Sequence, residues 1–288
     1  MSIKSKTLLK WLSGTALVIL LLAAACWLWL SSGQLTFAKQ RVFSVLPFPA
    51  ALVNGRPLSM SKFLFRYRLA QATLKTSEQN INDTQLKQQT LSRVITEAQL
   101  KQIASGLGVL AGSGQIDLEY RRRGADPKQL ATYGLTEAEF KSEVIAPYVT
   151  ANNLLIWFYG QKNLNNQTYQ TADKILTQLR SGGDFAQLAK TYSQDQRTAL
   201  LGGDSGFISP QDLLPEVSDA AAQMQPGDFN LVPTRFGLQI LWLQSRDNQG
   251  PQYEPRLHLR QILLGGSDFN QWYTEKTKGA TIIKIVSL

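Results

Sequence analysis

The chain has 288 residues, of which 43% are hydrophobic, and a formal net charge of +9. This length leaves room for one membrane segment and about two domains, and the charge favours anionic partners such as lipid headgroups or acidic polypeptides. A single cysteine and a single histidine exclude an internal disulfide and a cysteine-rich metal site, and they make a Ser-His-Asp triad or a histidine-rich metal site hard to build. No zinc-ligand spacing is present, and the basic run at 121–123 is typical of a solvated helix end, so no nucleic-acid partner is expected.

The N-terminal region predicts a membrane anchor. The apolar run 11–30 would span about 30 Å as a helix, which is the thickness of a bilayer core. The tail 1–10 carries more lysines than the stretch after the run carries basic residues, which predicts a single pass through the cell membrane, a cytoplasmic N-terminus and an extracytoplasmic remainder. A cleaved signal peptide would have a shorter apolar core. Residues 22–26 also resemble a bacterial lipobox, so a lipoprotein anchored at Cys26 is the alternative.

Residues 46–165 are predicted to form a helical domain behind an extended entry. Pro47 and Pro49 favour extended backbone, and Asn54-Gly55 is a turn signal. Apolar spacing then predicts three helices. The first is Ser59–Lys75, the second starts at a cap on Asp83 and ends at Gly106, and the third is Gln115–Arg122.

A long helix is predicted to close this region. Thr136 and Glu139 have the spacing of a capping box, which predicts a helix from there to about Tyr159. Pro147 inside that helix predicts a kink or a break. The polar, asparagine-rich stretch 163–170 is typical of a linker.

The stretch Ser181–Asp204 organises the second half of the chain. Gly182-Gly183 is expected to end an amphipathic helix, and Asp184 can cap the next one, which has apolar residues at helical spacing. Gly202-Gly203 then marks backbone that must turn sharply or take positive φ.

These residues, in this order, resemble the parvulin family of peptidyl-prolyl isomerases. In that family a G-x-D-F-x-x-L-A-x-x-Y-S-x-D helix precedes a G-G-D-L-G turn and a final T-x-F-G-Y-H-I strand. The matched positions run from about Thr171 to Arg246, and the final strand corresponds to Thr234–Leu241. The entry P-A-A-L-V-N-G-R-P-L-S at 49–59 is similar to the N-terminal chaperone domain of exported foldases of the SurA, PpiD and PrsA kind.

The two resemblances imply an α+β fold class with several parts. These are the membrane helix, a helical SurA-N-like chaperone domain at 46–165, and a parvulin-like α/β domain with a small antiparallel sheet at 171–247. The parvulin domain lacks its usual opening strand, which carries R-H-I-L. Arg260–Leu263 is similar to that strand, so we expect the sheet to be completed from the C-terminus, with this strand antiparallel to 238–244. Residues 253–288 would then form a strand, a helix and a last strand that complete the sheet.

The resemblance also implies a site. The apolar wall for the proline ring would be Leu213, Val217 and Phe236, with Ser205 at a position that is usually leucine. Val217 replaces the usual phenylalanine, which makes the wall smaller.

Three further residues match the polar positions of the family. Asp195 matches the Cys/Asp position that faces the substrate carbonyl, although it can equally serve as a helix cap. Gln239 and Gln261 stand where the family has histidines, so the resemblance implies two adjacent glutamines that bond without titrating. His258 lies three residues from Gln261 and should face the opposite side of the strand.

The resemblance implies an extracytoplasmic, membrane-anchored foldase that assists exported proteins by catalysing prolyl isomerisation. Because both family histidines are replaced, enzyme activity stays open, and the alternative is a weak or inactive parvulin-fold holdase that binds unfolded clients. A membrane-anchored scaffold is a third hypothesis. Unfolded or proline-containing polypeptides and the membrane are the expected partners, no cofactor or metal is expected, and the oligomeric state is not predicted.

Overall fold

Two antiparallel sheets organise the part of the chain that the computed structural model describes, which is residues 48–74, 81–124, 126, 130–131, 134–247 and 255–286. The chain divides into two compact units, and the division falls inside a helix, after residue 99. No helix among the described residues combines the length and the hydrophobicity that a bilayer crossing needs. The predicted anchor 11–30 and Cys26 lie outside those residues.

The first unit contains a three-stranded sheet and two helices. Strands β1 (Pro49–Val53) and β2 (Arg56–Ser59) form a hairpin around the predicted Asn54-Gly55 turn, where both residues have positive φ. Helices α1 (Met60–Leu74) and α2 (Asp83–Gly106) follow, near the predicted bounds. The side chains of the core come from the hairpin and both helices, and include Ala50, Val53, Phe63, Leu64, Leu91, Val94 and Ile95.

Two predictions for this unit are corrected. Asn82, not Asp83, caps α2, since its Oδ1 accepts the backbone N–H of Gln85 at 2.8 Å. The last strand, β7 (Ile282–Lys284), pairs antiparallel with β1. Residues 253–288 therefore do not all complete the second sheet, because β7 belongs to this one.

The second unit begins with helices that were expected to belong to a separate domain. Residues 100–127 and 136–165 fall in the same unit as the second sheet, so the division of the chain differs from the predicted boundary at 165. The bounds of these helices are α3 (Ser113–Arg122), α4 (Glu137–Phe140) and α5 (Ala146–Gly160). The capping box of Thr136 and Glu139 is confirmed at the start of α4. A π-helical turn at Lys141–Ile145 joins α4 to α5, so the predicted break comes just before Pro147.

Further helices and strands follow. In chain order these are α6 (Asn166–Arg180), α7 (Phe185–Tyr192), α8 (Gln196–Ala199), β3 (Asp204–Ile208), α9 (Pro215–Ala222), β4 (Phe229–Thr234), β5 (Gly237–Asp247), β6 (Arg256–Leu264) and α10 (Phe269–Thr277). The start of α6 shows that the predicted linker 163–170 is in part helical. The helix predicted between the two C-terminal strands is confirmed as α10, with Asp268 as its cap.

The second sheet has the strand order β3-β6-β5-β4. Strand β6 lies antiparallel to β5, with Leu241 opposite Gln261 and Ile240 opposite Ile262. The prediction that a strand from the C-terminal region completes this sheet is therefore confirmed for β6.

Side chains alternate between the two faces of a sheet, and each face here has its own apolar cluster. One cluster joins the sheet to α6 and α7, and includes Ile175, Leu179, Phe185, Leu238, Ile240 and Ile262. The other joins it to α9, and includes Val217, Ala221, Leu241, Leu243, Leu257 and Leu259. Gln239 and Gln261 point to this second face, because each lies two residues from one of its leucines along the strand.

Candidate functional site

Three predicted site residues form one hydrogen-bonded chain on the α9 face of the sheet. Nε2 of Gln239 donates to Oε1 of Gln261 at 2.8 Å, and Nε2 of Gln261 donates to Oδ2 of Asp195 at 2.7 Å. The two glutamines are diagonal neighbours on adjacent strands, since Gln239 is opposite Leu263. The structure therefore brings together the two positions that the resemblance paired. We call Asp195, Gln261 and Gln239 the amide relay.

The carboxylate sets the direction of the relay. An ionised Asp195 only accepts hydrogen bonds, so Gln261 must turn its NH₂ group towards it. The carbonyl oxygen of Gln261 is then left to accept from Gln239. This arrangement places Oε1 of Gln239 in the interior without a hydrogen-bond partner among the described residues, on a residue that is 7% exposed.

Asp195 is held by its own short helix. Its Oδ1 accepts the backbone N–H of Arg197 at 3.2 Å, which is the geometry of a helix cap. Its Oδ2 also accepts the hydroxyl of Thr198 at 2.9 Å. Asp195 is thus a cap and a member of the relay at once, while contact with a substrate carbonyl stays a prediction.

Thr198 and Ser193 are site residues that the sequence reasoning missed. The hydroxyl oxygen of Ser193 accepts the N–H of Leu263 at 3.1 Å, which ties the end of α7 to β6. Thr198 is the third residue of a helix capped by an aspartate, and side chains at that position reach back to the cap. That spacing was the available signal for Thr198.

The glycine turn fixes the other side of the relay. The carbonyl oxygen of Gly203 accepts the backbone N–H of Gln261 at 2.8 Å. Gly203 has φ +77°, and a Cβ there would lie 2.5 Å from the carbonyl oxygen of Gln261. Only glycine allows β6 and the turn to approach this closely.

The predicted apolar wall is divided between the interior and the surface. Val217 is buried in the cluster on the α9 face, and Leu213 is half-buried against it. Phe236 lies in the β4–β5 turn and is 57% exposed. Ser205 is half-buried in an irregular part of β3.

The single histidine lies across the sheet from the relay, as predicted. Its Nε2 is 2.9 Å from Oδ1 of Asp204, and its ring lies against Phe207. Burial raises the pKa of Asp204, but hydrogen bonds from the N–H of Gly206 and with the His258 ring lower it by more. The pKa of Asp204 therefore lies below its ordinary value. His258 is therefore a packing residue with an acidic partner.

A cleft of about 1060 Å³ opens within the same unit, and Leu213 of the predicted apolar wall is among its lining residues. Helices α3 and α5 and the segment 211–219 line it, and Leu110 and Leu118 present exposed apolar side chains there. Arg122 crosses the cleft and donates to the carbonyl oxygens of Gln211, at 2.6 Å, and of Leu213. The lining carries four arginines and four carboxylates, so it presents no single sign of charge.

Comparison with known proteins shows what part of this chain is similar to. Residues 133–246 match the model of the PPIC-type PPIASE domain family. The chain is 31% identical over 117 residues to the chaperone SurA of Burkholderia lata, which covers 40% of this chain and 26% of that protein. It is 39% identical over 83 residues to the foldase protein PrsA of a Geobacillus species, which covers 28% of this chain and 30% of that protein.

A solved structure of the peptidylprolyl isomerase PrsA from Bacillus anthracis is also similar. The match has 20% sequence identity and a TM-score of 0.22, and covers 65% of this chain and 85% of that one. The chain spans about a quarter of the length of the curated SurA proteins that it matches. The predicted resemblance to parvulin-type foldases of the SurA and PrsA kind is confirmed.

Proposed function

We propose that the chain is a foldase that catalyses prolyl isomerisation in unfolded polypeptides through the amide relay. The observation that carries this proposal is the hydrogen-bonded contact of Gln239, Gln261 and Asp195, at positions where parvulins have polar residues. The matched PPIASE domain contains all of the relay except Gln261, which β6 adds beside β5. The site is therefore complete only when β6 is in the sheet.

Rotation about an X-Pro amide is opposed by a barrier of about 18–20 kcal/mol, because the bond has partial double-bond character. A site lowers the barrier by binding the twisted amide more tightly than the planar one. Asp195 and Gln261 supply polar groups that are held in place by the helix cap, by the Thr198 hydroxyl and by the backbone bond between Gly203 and Gln261, so they need little reorganisation during the reaction. Phe236 supplies exposed apolar surface for a proline ring.

Isomerisation of a proline tetrapeptide by the full chain in mild detergent tests the proposal. Asp195→Asn keeps a capping side chain but removes the charge that orders the relay. Hydrogen bonds to charged groups are worth about 1.5–3 kcal/mol, and each 1.4 kcal/mol is tenfold in rate. We therefore expect kcat/KM to fall by about 10- to 100-fold.

His258→Gln is the matched control, because His258 lies on the other face of the sheet. It should leave the rate within about twofold, which is less than 0.5 kcal/mol. A native protein without activity above the uncatalysed rate, or an unchanged rate in Asp195→Asn, would refute catalysis by the relay.

A holdase is the second candidate function, and the cleft favours it. Its lining combines apolar side chains with side-chain amides such as Asn152, a mixture suited to extended polypeptide. The balance of charges argues against a polyanion as the occupant. Suppressed aggregation of a denatured client, reduced by Leu118→Asp, would support a holdase that binds clients in the cleft. Equal suppression by the native protein and the variant would refute the cleft as the client site, and no suppression by the native protein would refute the holdase function. A protein without either activity would leave the scaffold hypothesis.

Membrane anchoring is a further part of the proposal, and the apolar run 11–30 supports it. We propose that the described residues lie outside the cytoplasm, where the folding of exported proteins takes place. Protease accessibility of the chain in intact spheroplasts tests the orientation. Metabolic labelling with a radioactive fatty acid distinguishes a membrane helix from a lipid on Cys26, because Cys26→Ser abolishes the label only in the second case.

A further inference from the structure

Two leucines beside the amide relay are the most exposed large apolar side chains in the described residues. Leu200 is 81% exposed and Leu201 is 67% exposed. Both directly follow α8, the one-turn helix that Asp195 caps. At about 1.5 Å per residue, that helix keeps them within roughly 10 Å of Asp195 along the chain. Apolar groups left exposed beside a site are typical of a surface that a ligand covers.

The turn that presents these leucines is held in place by its backbone. The N–H groups of Leu201 and Gly203 donate to the carbonyl oxygen of Thr198, at 3.0 and 2.8 Å. Gly202 has φ +68°, and a Cβ there would lie 2.5 Å from the Cβ of Ala186. The leucines are therefore displayed by a turn that is fixed against both α7 and β6, and their exposure does not come from a loose loop.

A third exposed apolar side chain lies on the other segment that leads into the relay. Phe236 precedes Gln239 by three residues, and its N–H donates to the hydroxyl oxygen of Thr234 at 3.2 Å. The guanidinium carbon of Arg235 lies 5.0 Å from the centre of its ring. Two of the three segments that carry the relay thus present apolar surface to solvent.

We propose that residues 200–203, the specificity loop, select clients with a bulky apolar residue next to the proline. The inference rests on the proposed function, but peptide affinity tests it independently of catalysis. The competing feature is Arg197, whose side chain is 88% exposed and lies 3.5 Å from Oδ1 of Asp195. A site governed by Arg197 would instead prefer an acidic residue at that position.

The experiment compares tetrapeptides Ala-Xaa-Pro-Phe, with leucine, alanine or glutamate at Xaa, on the full chain in detergent. Both kcat/KM and the Kd of each peptide are measured. Apolar contacts of this size discriminate by about tenfold or more, so we expect leucine to exceed alanine by that factor and glutamate to rank last. The double variant Leu200→Asn, Leu201→Asn should bring the leucine-to-alanine ratio to about one.

Leu107→Asn is the matched control, because Leu107 is an exposed leucine after α2 and outside the relay. It should keep the native ratio. A preference for glutamate, or a ratio that the double variant leaves unchanged, would overturn the proposal. If no peptide is isomerised, the proposed function fails. The Kd values then decide whether the specificity loop selects bulky apolar residues. A leucine preference in Kd that the double variant removes supports it, and equal affinities overturn it.

Discussion

The direction of the amide relay predicts that its two glutamines have very different effects on stability. The same replacement, glutamine to leucine, is made at Gln261 and at Gln239. Both side chains lie on the same face of the same strand pair. The two variants are therefore controls for each other in volume, chemistry and location.

Gln261→Leu removes a donor to a carboxylate and also leaves the NH₂ group of buried Gln239 without its acceptor. Losing a hydrogen bond to a charged group costs about 1.5–3 kcal/mol, and an unsatisfied buried group costs about 1–3 kcal/mol. Burial of the new leucine offsets part of this. We expect a net destabilisation of about 2–4 kcal/mol.

Gln239→Leu removes one hydrogen bond between uncharged groups, worth about 1 kcal/mol, and leaves Oε1 of Gln261, a half-buried residue, without that donor. It also removes a buried carbonyl oxygen that has no partner among the described residues, which returns about 1–3 kcal/mol. The free energy of unfolding should therefore change by no more than about 1 kcal/mol in either direction.

Amide hydrogen exchange, read by mass spectrometry on peptides from β5 and β6, measures this difference locally. The two expected ranges differ by at least about 1 kcal/mol, which corresponds to roughly fivefold in protection. We expect Gln261→Leu to lose at least that factor relative to Gln239→Leu. Equal losses, or a larger loss in Gln239→Leu, would show that the relay does not run from Asp195 outward.

Three further predictions concern residues around the relay. Thr198→Val keeps the shape of the side chain but removes its hydrogen bond to Asp195, so kcat/KM on a proline peptide should fall about tenfold while Thr198→Ser restores it. Arg246 donates to the carbonyl oxygens of Ala221 and Met224 at 2.7 and 2.8 Å, which closes the C-terminal end of α9. Arg246→Ala should lower the urea midpoint by the equivalent of about 1–2 kcal/mol, and an unchanged midpoint would contradict that role. The pKa of Asp204 is lowered from 3.8, so its carboxylate stabilises the fold above that pH and the contribution disappears as pH falls through the lowered value. Urea midpoints between pH 2 and 7 should therefore fall more steeply below about pH 4 in the native protein than in Asp204→Asn, and parallel curves would contradict the prediction.

The pairing of β5 with β6 could be predicted because Arg260–Leu263 resembles the opening strand that the parvulin-like region lacks. Pattern alone would not have paired them, since β5 is apolar at nearly every position from Leu238 to Leu243 and only the first half of β6 alternates. The position of Gln261 beside Gln239 follows once the two strands are antiparallel. The partner of β7 could not be predicted in this way, because a three-residue strand has too little pattern to specify a register with β1, some 230 residues earlier.

Two local errors have physical causes in tertiary contacts. Asn82 and Asp83 are both good capping residues, but Asp83 pairs with Lys87 and accepts the hydroxyl of Tyr67. Its carboxylate is thus engaged, and Asn82 caps the helix. The polar start of α6 was read as a linker, although the buried stripe of Ala172, Ile175 and Leu179 continues back to Tyr169, which packs against the same cluster.

The geometry explains how two glutamines can occupy positions to which the resemblance assigns histidines. A diagonal pair on adjacent strands brings side chains of this length within hydrogen-bond reach, whichever polar residues stand there. An imidazole at either position would change its donors and acceptors near neutral pH, whereas an amide keeps both at every pH. The direction in which the hydrogen bonds of the relay run therefore depends on Asp195 alone. Asp195 is positioned by α8, and also by β6, because Gln261 donates to it. In the proposed function, Asp195 is therefore the anchor of the site, and the two glutamines transmit its direction into the sheet.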